Sequence, residues 1–332
     1  MRRLVVAILI AVVAAGGGLC AGGNGSQPAA HTLAWRPEKQ SVRTSIKQLE
    51  GTDPVVRCRA ALVLRERGPE AAPAIKALVA VLTDERKVTS EQIFHNPSMN
   101  SGWQTSPAKD ASWALAAIGN RAVEPLAAAL RRGSSAMTCK RAADALAQID
   151  NGHSRGVLKQ ELGGANPVVR AAVARALGKA PSLPSGLLTG ALKDRDPLVR
   201  RAAVQGLQNI GSQKKGKAAI SALFAAFRDR DASVRAASVY AFSYFDAVSL
   251  PAGTAKRLLG VLDDPEPDVR TQAAYALGSL NVQSAVSPLI SHLSDNDKHV
   301  RSKISWALRK LTGHELGGDK AGWEKWWSEH RH

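Results

Sequence analysis

Aromatic residues make up only 5% of this 332-residue chain, and cysteine and methionine occur three times each. So few cysteines exclude the disulfide frameworks that staple small secreted domains, so stability has to come from a packed core. The short motifs that announce chemistry are missing too: there is no Cys-x-x-Cys, no His-Glu-x-x-His, no Gly-x-Ser-x-Gly and no Walker-type glycine loop. His31, His95, His153, His292, His299, His314, His330 and His332 are dispersed without metal-ligand spacing. No catalytic, metal or cofactor site is expected, which leaves binding as the class to be read from what is present.

What is present is a repeat. A cap residue, often Pro, and then Val-Arg recur as Asp53-Pro-Val-Val-Arg57, Asn166-Pro-Val-Val-Arg170, Asp196-Pro-Leu-Val-Arg200, Asp231-Ala-Ser-Val-Arg235, Glu266-Pro-Asp-Val-Arg270 and Asp297-Lys-His-Val-Arg301. Seven residues after each Arg stands a large apolar residue: Leu64, Leu177, Leu207, Phe242, Leu277 and Leu308. The same frame finds degenerate copies ending at Leu115 and Leu146, with Ala108 and Cys139 in the Arg position. The result is eight units at offsets of 51, 31, 31, 30, 35, 35 and 31 residues. Fixed-period self-similarity of this length predicts a solenoid.

Each unit reads as two helices. The motif opens the second, because Asp or Asn offers an oxygen to the orphan N–H groups of the first turn and Pro at the first helical position sacrifices no hydrogen bond. The preceding helix carries apolar residues at helical spacing, as in Ile75-Leu78-Val81-Leu82 or Val286-Leu289-Ile290-Leu293. No alternating strand pattern competes.

On these motifs, residues 37–311 resemble the HEAT-repeat family, in particular the short HEAT-like repeats also found in phycobilin lyases. The resemblance implies an all-α, right-handed α-solenoid of about eight repeats. It further implies a structural ladder in which the motif Asp and Arg pair, using Asp53, Arg57, Asp196, Arg200, Asp231, Arg235, Asp297 and Arg301. Deoxyhypusine hydroxylases, a HEAT-like enzyme family, bind iron through several His-Glu pairs. Here the one such dipeptide, His314-Glu315, lies outside the repeats, so a lyase or metal-dependent enzyme is the less favoured class.

The ends differ in kind from the middle. Arg2 and Arg3 followed by the apolar run Leu4 to Ala15 predict a secretory signal over residues 1–23, too short for a stable transmembrane helix. Residues 24–36 read as a flexible linker. Export to the periplasm or cell envelope is therefore expected; lipidation at Cys20 is the weaker alternative to ordinary cleavage, because Leu19 poorly matches a lipoprotein signal. At the other end, Trp323, Trp326 and Trp327 fall at i, i+3 and i+4 in residues 312–332, which predicts a capping helix over the last repeat. This segment also resembles the closing segment of exported planctomycete-type HEAT-repeat proteins; an aromatic ligand box is the alternative reading. Cys58 and Cys139 lie two units apart, beyond the roughly 4.4 to 6.8 Å that a disulfide spans between Cα atoms, and read as buried fillers.

Net charge is +17, and removing Arg2 and Arg3 leaves most of it. The basic residues are scattered rather than gathered in one tract. A solvated basic surface is one reading; attraction to anionic polymer, lipid head groups or an acidic protein is another, with nucleic acid the poorer partner for an exported chain.

A sharper signal is the column nine residues after each cap: Leu62, Trp113, Asp144, Arg175, Gln205, Tyr240, Tyr275 and Trp306. Four residues earlier on the same face stand Lys109, Lys140 and Arg201. Because the second helices of HEAT units usually line the concave side, this predicts an aromatic and cationic strip of the composition favoured at binding hot spots. Gap-filling between units is the competing reading. An insertion over residues 87–107, including Phe94, His95 and Trp103, is a second candidate contact surface. The expected function is a non-enzymatic scaffold for a protein partner, with binding of anionic polymer or membrane surface as the alternative.

Overall fold

The computed structural model describes residues 40–94, 103–133, 135–180, 182, 186–211, 217–247 and 250–330. The expected signal, Cys20, the linker and His95 lie outside them. Unit one pairs α1 (Val42–Glu50) with α2 (Pro54–Arg67), and unit two runs from a 3-10 turn (Gly68–Ala74) into α3 (Ile75–Val81). The insertion follows, with β1 (Val88–Thr89), α4 (Ser90–Phe94) and β2 (Gln104–Thr105), before α5 (Pro107–Ile118) completes the unit. The remaining pairs are α6 (Val123–Arg132) with α7 (Ala136–Ile149), α8 (Gly152–Leu162) with α9 (Pro167–Leu177), and α10 (Gly186–Ala191) with α11 (Pro197–Gly211). Then come α12 (Lys217–Ala226) with α13 (Ala232–Ala241), α14 (Thr254–Leu259) with α15 (Pro267–Ser279), α16 (Val286–Ser291) with α17 (Lys298–Thr312), and finally α18 (Lys320–His330). Each second helix packs on the second helix of the next unit, so the architecture is the expected all-α solenoid.

Local chemistry explains the helix starts. Asp53, Asn166, Asp196, Asp231 and Asp297 each accept a backbone N–H from the first turn. Glu266 makes no such bond. In the two degenerate units Ser106 and Ser135 cap instead, and Ser106 lies two residues beyond the position that the repeat frame assigns.

The Arg ladder exists, but its acids are not the motif acids, which are occupied as caps. Each Arg reaches an Asp two residues before the next cap: Arg170 to Asp194, Arg200 to Asp229, Arg235 to Asp264 and Arg270 to Asp295, all with Nε–Oδ2 distances of 2.7–2.8 Å. A second guanidinium nitrogen closes a bidentate fork, as at Arg200 Nη2 to Asp229 Oδ1, 2.8 Å. The third donates to two carbonyls of the preceding turn, Asp194 and Arg195 in the case of Arg200. The Asp in turn accepts the backbone N–H of the next cap, as Asp229 does from Asp231 at 2.9 Å. One Arg thus fixes two successive turns. Bonds from Arg170 and Arg270 hold the Asp194 and Asp295 carboxyls below the ordinary range; burial opposes this at Asp229 and Asp264, where the Arg200 and Arg235 bonds prevail. In unit one Arg57 pairs with Asp84 at 2.8 Å, while Arg301 donates, among the described residues, to the carbonyls of Asp295 and Asn296 alone.

Small residues set the spacing of neighbouring helices. A Cβ on Gly178 would lie 2.3 Å from the Gly206 carbonyl oxygen, and one on Gly206 would lie 2.7 Å from that of Ala174. Glycine is required there by backbone approach rather than by φ.

Both chain-specific additions are built into the stack. β1 and β2 pair antiparallel, Val88 with Thr105, and Val88 and Ile93 join Cys58 in a small separate core flanked by Leu62, Phe94 and Trp103. Cys58 and Cys139 are both free and buried. At the far end Trp323 is wholly buried and donates Nε1 to the Gly317 carbonyl at 3.0 Å. Trp326 and Trp327 pack half-buried against the main core, so the Trp triplet caps the last repeat. Among the described residues no helix is long and apolar enough to cross a membrane.

Candidate functional site

The register that buries Ala and Leu of the second helices leaves the column residues half-buried. All of Leu62, Trp113, Arg175, Gln205, Tyr240, Tyr275 and Trp306 are of intermediate exposure, and Asp144 is buried. The two readings of the column therefore merge: these side chains pack on one another between units and still present an edge to solvent.

The C-terminal part of the column is a continuous aromatic stack. Tyr240 and Tyr275 lie 5.7 Å apart between ring centroids and Tyr275 and Trp306 5.0 Å apart, each pair inclined by 27°. Gly278 makes room for this: a Cβ there would meet Trp306 at 2.9 Å and the Ala307 Cα at 3.0 Å. Lys303 places its ammonium 5.1 Å from the Tyr275 ring and 5.3 Å from that of Trp306. Tyr244, 51% exposed, packs edge-on to Tyr240 with their hydroxyls 2.6 Å apart. That hydrogen bond is the main reason the Tyr240 phenol is pushed up to about 12.

The N-terminal end differs. Trp113 carries Arg65 at 5.1 Å and Lys109 at 4.9 Å from its ring centroid, with Lys109 also 6.0 Å from Trp103 of the insertion. Its ring is engaged by the chain's own cations.

Between the two lies a charged stretch. Glu85 holds Arg141 through a fork of two 2.8 Å bonds, and Lys179 Nζ lies 2.9 Å from Asp144 Oδ2. Lys140, Arg175 and Arg201 have no carboxylate within salt-bridge distance among the described residues. The Nε of Arg175 and Oδ1 of Asp144 are buried without a hydrogen-bond partner among the described residues. Burial first, and then the surrounding cations, hold Arg175 and Lys140 below their ordinary values against the opposing attraction of Asp144. Gln205 separates this stretch from the stack.

Sequence reasoning found the column and its Lys109, Lys140 and Arg201 companions. It missed Lys303, Tyr244, Arg65, Lys179 and the Glu85–Arg141 pair, which stand outside the nine-residue register; Trp103 was named with the insertion but not joined to the column. Lys303, three residues before Trp306 on one helix face, was findable by the i, i+3 rule. Elsewhere, Asp110 is fully buried; burial pushes its carboxyl up to about 6, while the Thr105 hydroxyl at 2.8 Å stabilises the anion. Lying beneath the insertion, it is part of the packing. Among the described residues no three His, Cys, Asp or Glu side chains are grouped as metal ligands.

Comparison with known proteins agrees with this geometry. The HEAT-repeat profile matches residues 156–243 and 255–320, and that of the phycobilisome (PBS) lyase HEAT-like repeat matches 108–132. No curated protein sequence matches the chain significantly. Among solved structures, the Kap95:Nup1 complex is similar over 88% of this chain and 44% of that one, at 12% identity and TM-score 0.52. An engineered protein is similar over 87% and 83%, at 21% identity and TM-score 0.40. The CpcE–CpcF complex of phycocyanin lyase from Nostoc is similar over 47% and 99%, at 23% identity and TM-score 0.39. With matched repeats spanning more than half of its length, the chain belongs to the HEAT-repeat family.

Proposed function

We propose that this protein is a non-enzymatic scaffold of the cell envelope that docks a protein partner along the strip formed by its second helices. The carrying observation is the half-exposed stack of Tyr240, Tyr275 and Trp306, continued by Tyr244 and bordered by Lys303. Rings already ordered by their neighbours lose little side-chain entropy on binding and offer apolar faces with polar edges, the character of interface hot spots. The envelope location rests on the N-terminal sequence, and the non-enzymatic reading on the lack of any catalytic motif in it.

A second reading, an electrostatic binder of anionic polymer or membrane surface, draws on the uncompensated cations Lys140, Arg175 and Arg201. Salt separates the two. Mature protein is used as bait in nuclease-treated envelope extract at low and high salt, with bound material identified by mass spectrometry. A protein retained at high salt supports the scaffold. Recovery only of lipid or acidic polymer, lost as salt rises, makes the basic surface the function.

A further inference from the structure

Taking partner docking along this strip as given, we infer that the docked element is an extended acidic segment of a protein. Its carboxylates engage Lys140, Arg175 and Arg201, and apolar side chains next to them lie on Tyr240, Tyr275 and Trp306.

The charge balance of the central stretch carries this. Among the five cations Lys140, Arg141, Arg175, Lys179 and Arg201, ion pairs form to two carboxylates, Glu85 and Asp144; a third carboxylate, the buried Asp110, acts on Arg141 without pairing with it. Glu85 is taken by Arg141, and Asp144 gives Oδ2 to Lys179 while its Oδ1 forms no hydrogen bond among the described residues. Three cations remain, one from each of three successive units, on helices α7, α9 and α11. Arg175 is the most constrained, since its Nε is removed from water with no acceptor supplied. Asp144 attracts the guanidinium, but a buried Nε without an acceptor still costs free energy unless something outside the fold supplies one. Elsewhere this chain does complete its arginines: in the ladder every Arg from Arg170 to Arg270 finds a bidentate Asp.

The geometry favours a carboxylate on a peptide over a uniform polyanion. The cations are followed in the column by Gln205 and then by three stacked rings, with Lys303 engaged over two of them, so a matching ligand changes from acidic to largely apolar along its length. An extended polypeptide has that chemistry, and polyphosphate does not. Arginine's fixed fork also suits a planar carboxylate.

The test uses fluorescence anisotropy with a labelled peptide of four Glu followed by Pro-Leu-Gly-Tyr, its Glu→Gln counterpart, inorganic polyphosphate, and phosphatidylglycerol vesicles, at physiological salt. The proposal expects the Glu peptide to bind at least tenfold more tightly than the Gln peptide, and Arg175→Gln to weaken it at least tenfold. Arg175→Gln should leave the melting temperature unchanged or raise it, which a structural arginine would not do. Equal binding of both peptides, or undiminished binding by Arg175→Gln, overturns it. So does tighter binding of polyphosphate or vesicles that competes the peptide away. If the envelope partner is still captured at high salt while the Glu peptide fails, the acidic segment is wrong and the scaffold reading stands. If no protein is captured, the scaffold reading falls first.

Discussion

The last five units and the second and third units solve the same packing problem differently. From Arg170 to Arg270 each turn is locked by a guanidinium that grips an Asp and two carbonyls, whereas Ala108 and Cys139 occupy the equivalent positions earlier and no such lock forms there. The irregular region uses serine caps, a 56-residue reach from Arg141 to Glu85, and an inserted strand pair. It is also where polar strain collects. Of the five buried polar atoms left without partners among the described residues, three lie on Asp110, Asp144 and Asp150 of units two and three, one on Arg175 in the adjoining unit four, and one on Trp326 of the cap. The ladder satisfies the regular repeats from within, and the incomplete groups gather where the repeat breaks and at Arg175 beside that break.

The largest effect expected from this contrast is at the ladder's centre. Arg200→Ala strands the Asp229 carboxylate and two carbonyls, and should destabilise by about 3 kcal/mol or more, as breaking a buried pair does. Cys139→Ala, in a unit without the lock, should cost about 1 kcal/mol. Denaturant titration of both decides, and similar losses would deny the ladder its role.

Acid titration should sharpen the picture of the irregular region, because two carboxylates of unit two contribute with opposite sign. Asp110, pushed up to about 6 by burial, binds a proton more tightly folded than unfolded. Its contribution is greatest below the unfolded value and is lost as pH rises through 6, by about 3 kcal/mol for a shift of this size. Asp84 is drawn down to about 2, chiefly by its bond from Arg86. Its contribution is present at neutral pH and lost as pH falls towards 2. Asp110→Asn should therefore abolish the decline between pH 4 and 6 in stability measured by denaturant titration, and leave the acid limb intact.

Glycine substitutions give the next largest difference. Gly206→Ala drives a methyl against the Ala174 carbonyl and should cost about 1–3 kcal/mol. Gly190→Ala meets nothing within 4 Å and should be neutral or stabilising by up to about 1 kcal/mol. Within the ladder the smallest loss is expected at its end. Arg301→Gln loses only two carbonyl contacts and should cost about 1 kcal/mol. Thermal melting of the three variants orders them.

The fold was legible because the motif repeats what a helix start needs, a cap oxygen and then Pro, at a spacing two helices fill. The ladder's acids were misassigned because the cap Asp cannot serve two geometries at once. The true partners Asp194, Asp229, Asp264 and Asp295 form their own column two residues before each cap, visible in sequence once the cap's bonds are counted. The strip was readable as a register of large residues. Its extent was not, since Tyr244 comes from a 3-10 turn after α13 and Trp103 from an insertion with no periodicity to project. How Val88 and Ile93 would seal Cys58 depended on a strand pair that nothing local announces.

The most direct test of the strip is the double variant Tyr240→Ala/Tyr275→Ala, melted and used as bait beside the wild type. Each ring is half-exposed, so a cooperative transition with a loss of about 2 kcal/mol is expected together with loss of partner capture. A fall of more than about 4 kcal/mol with capture undiminished would make the stack a packing element and contradict its role as the docking surface.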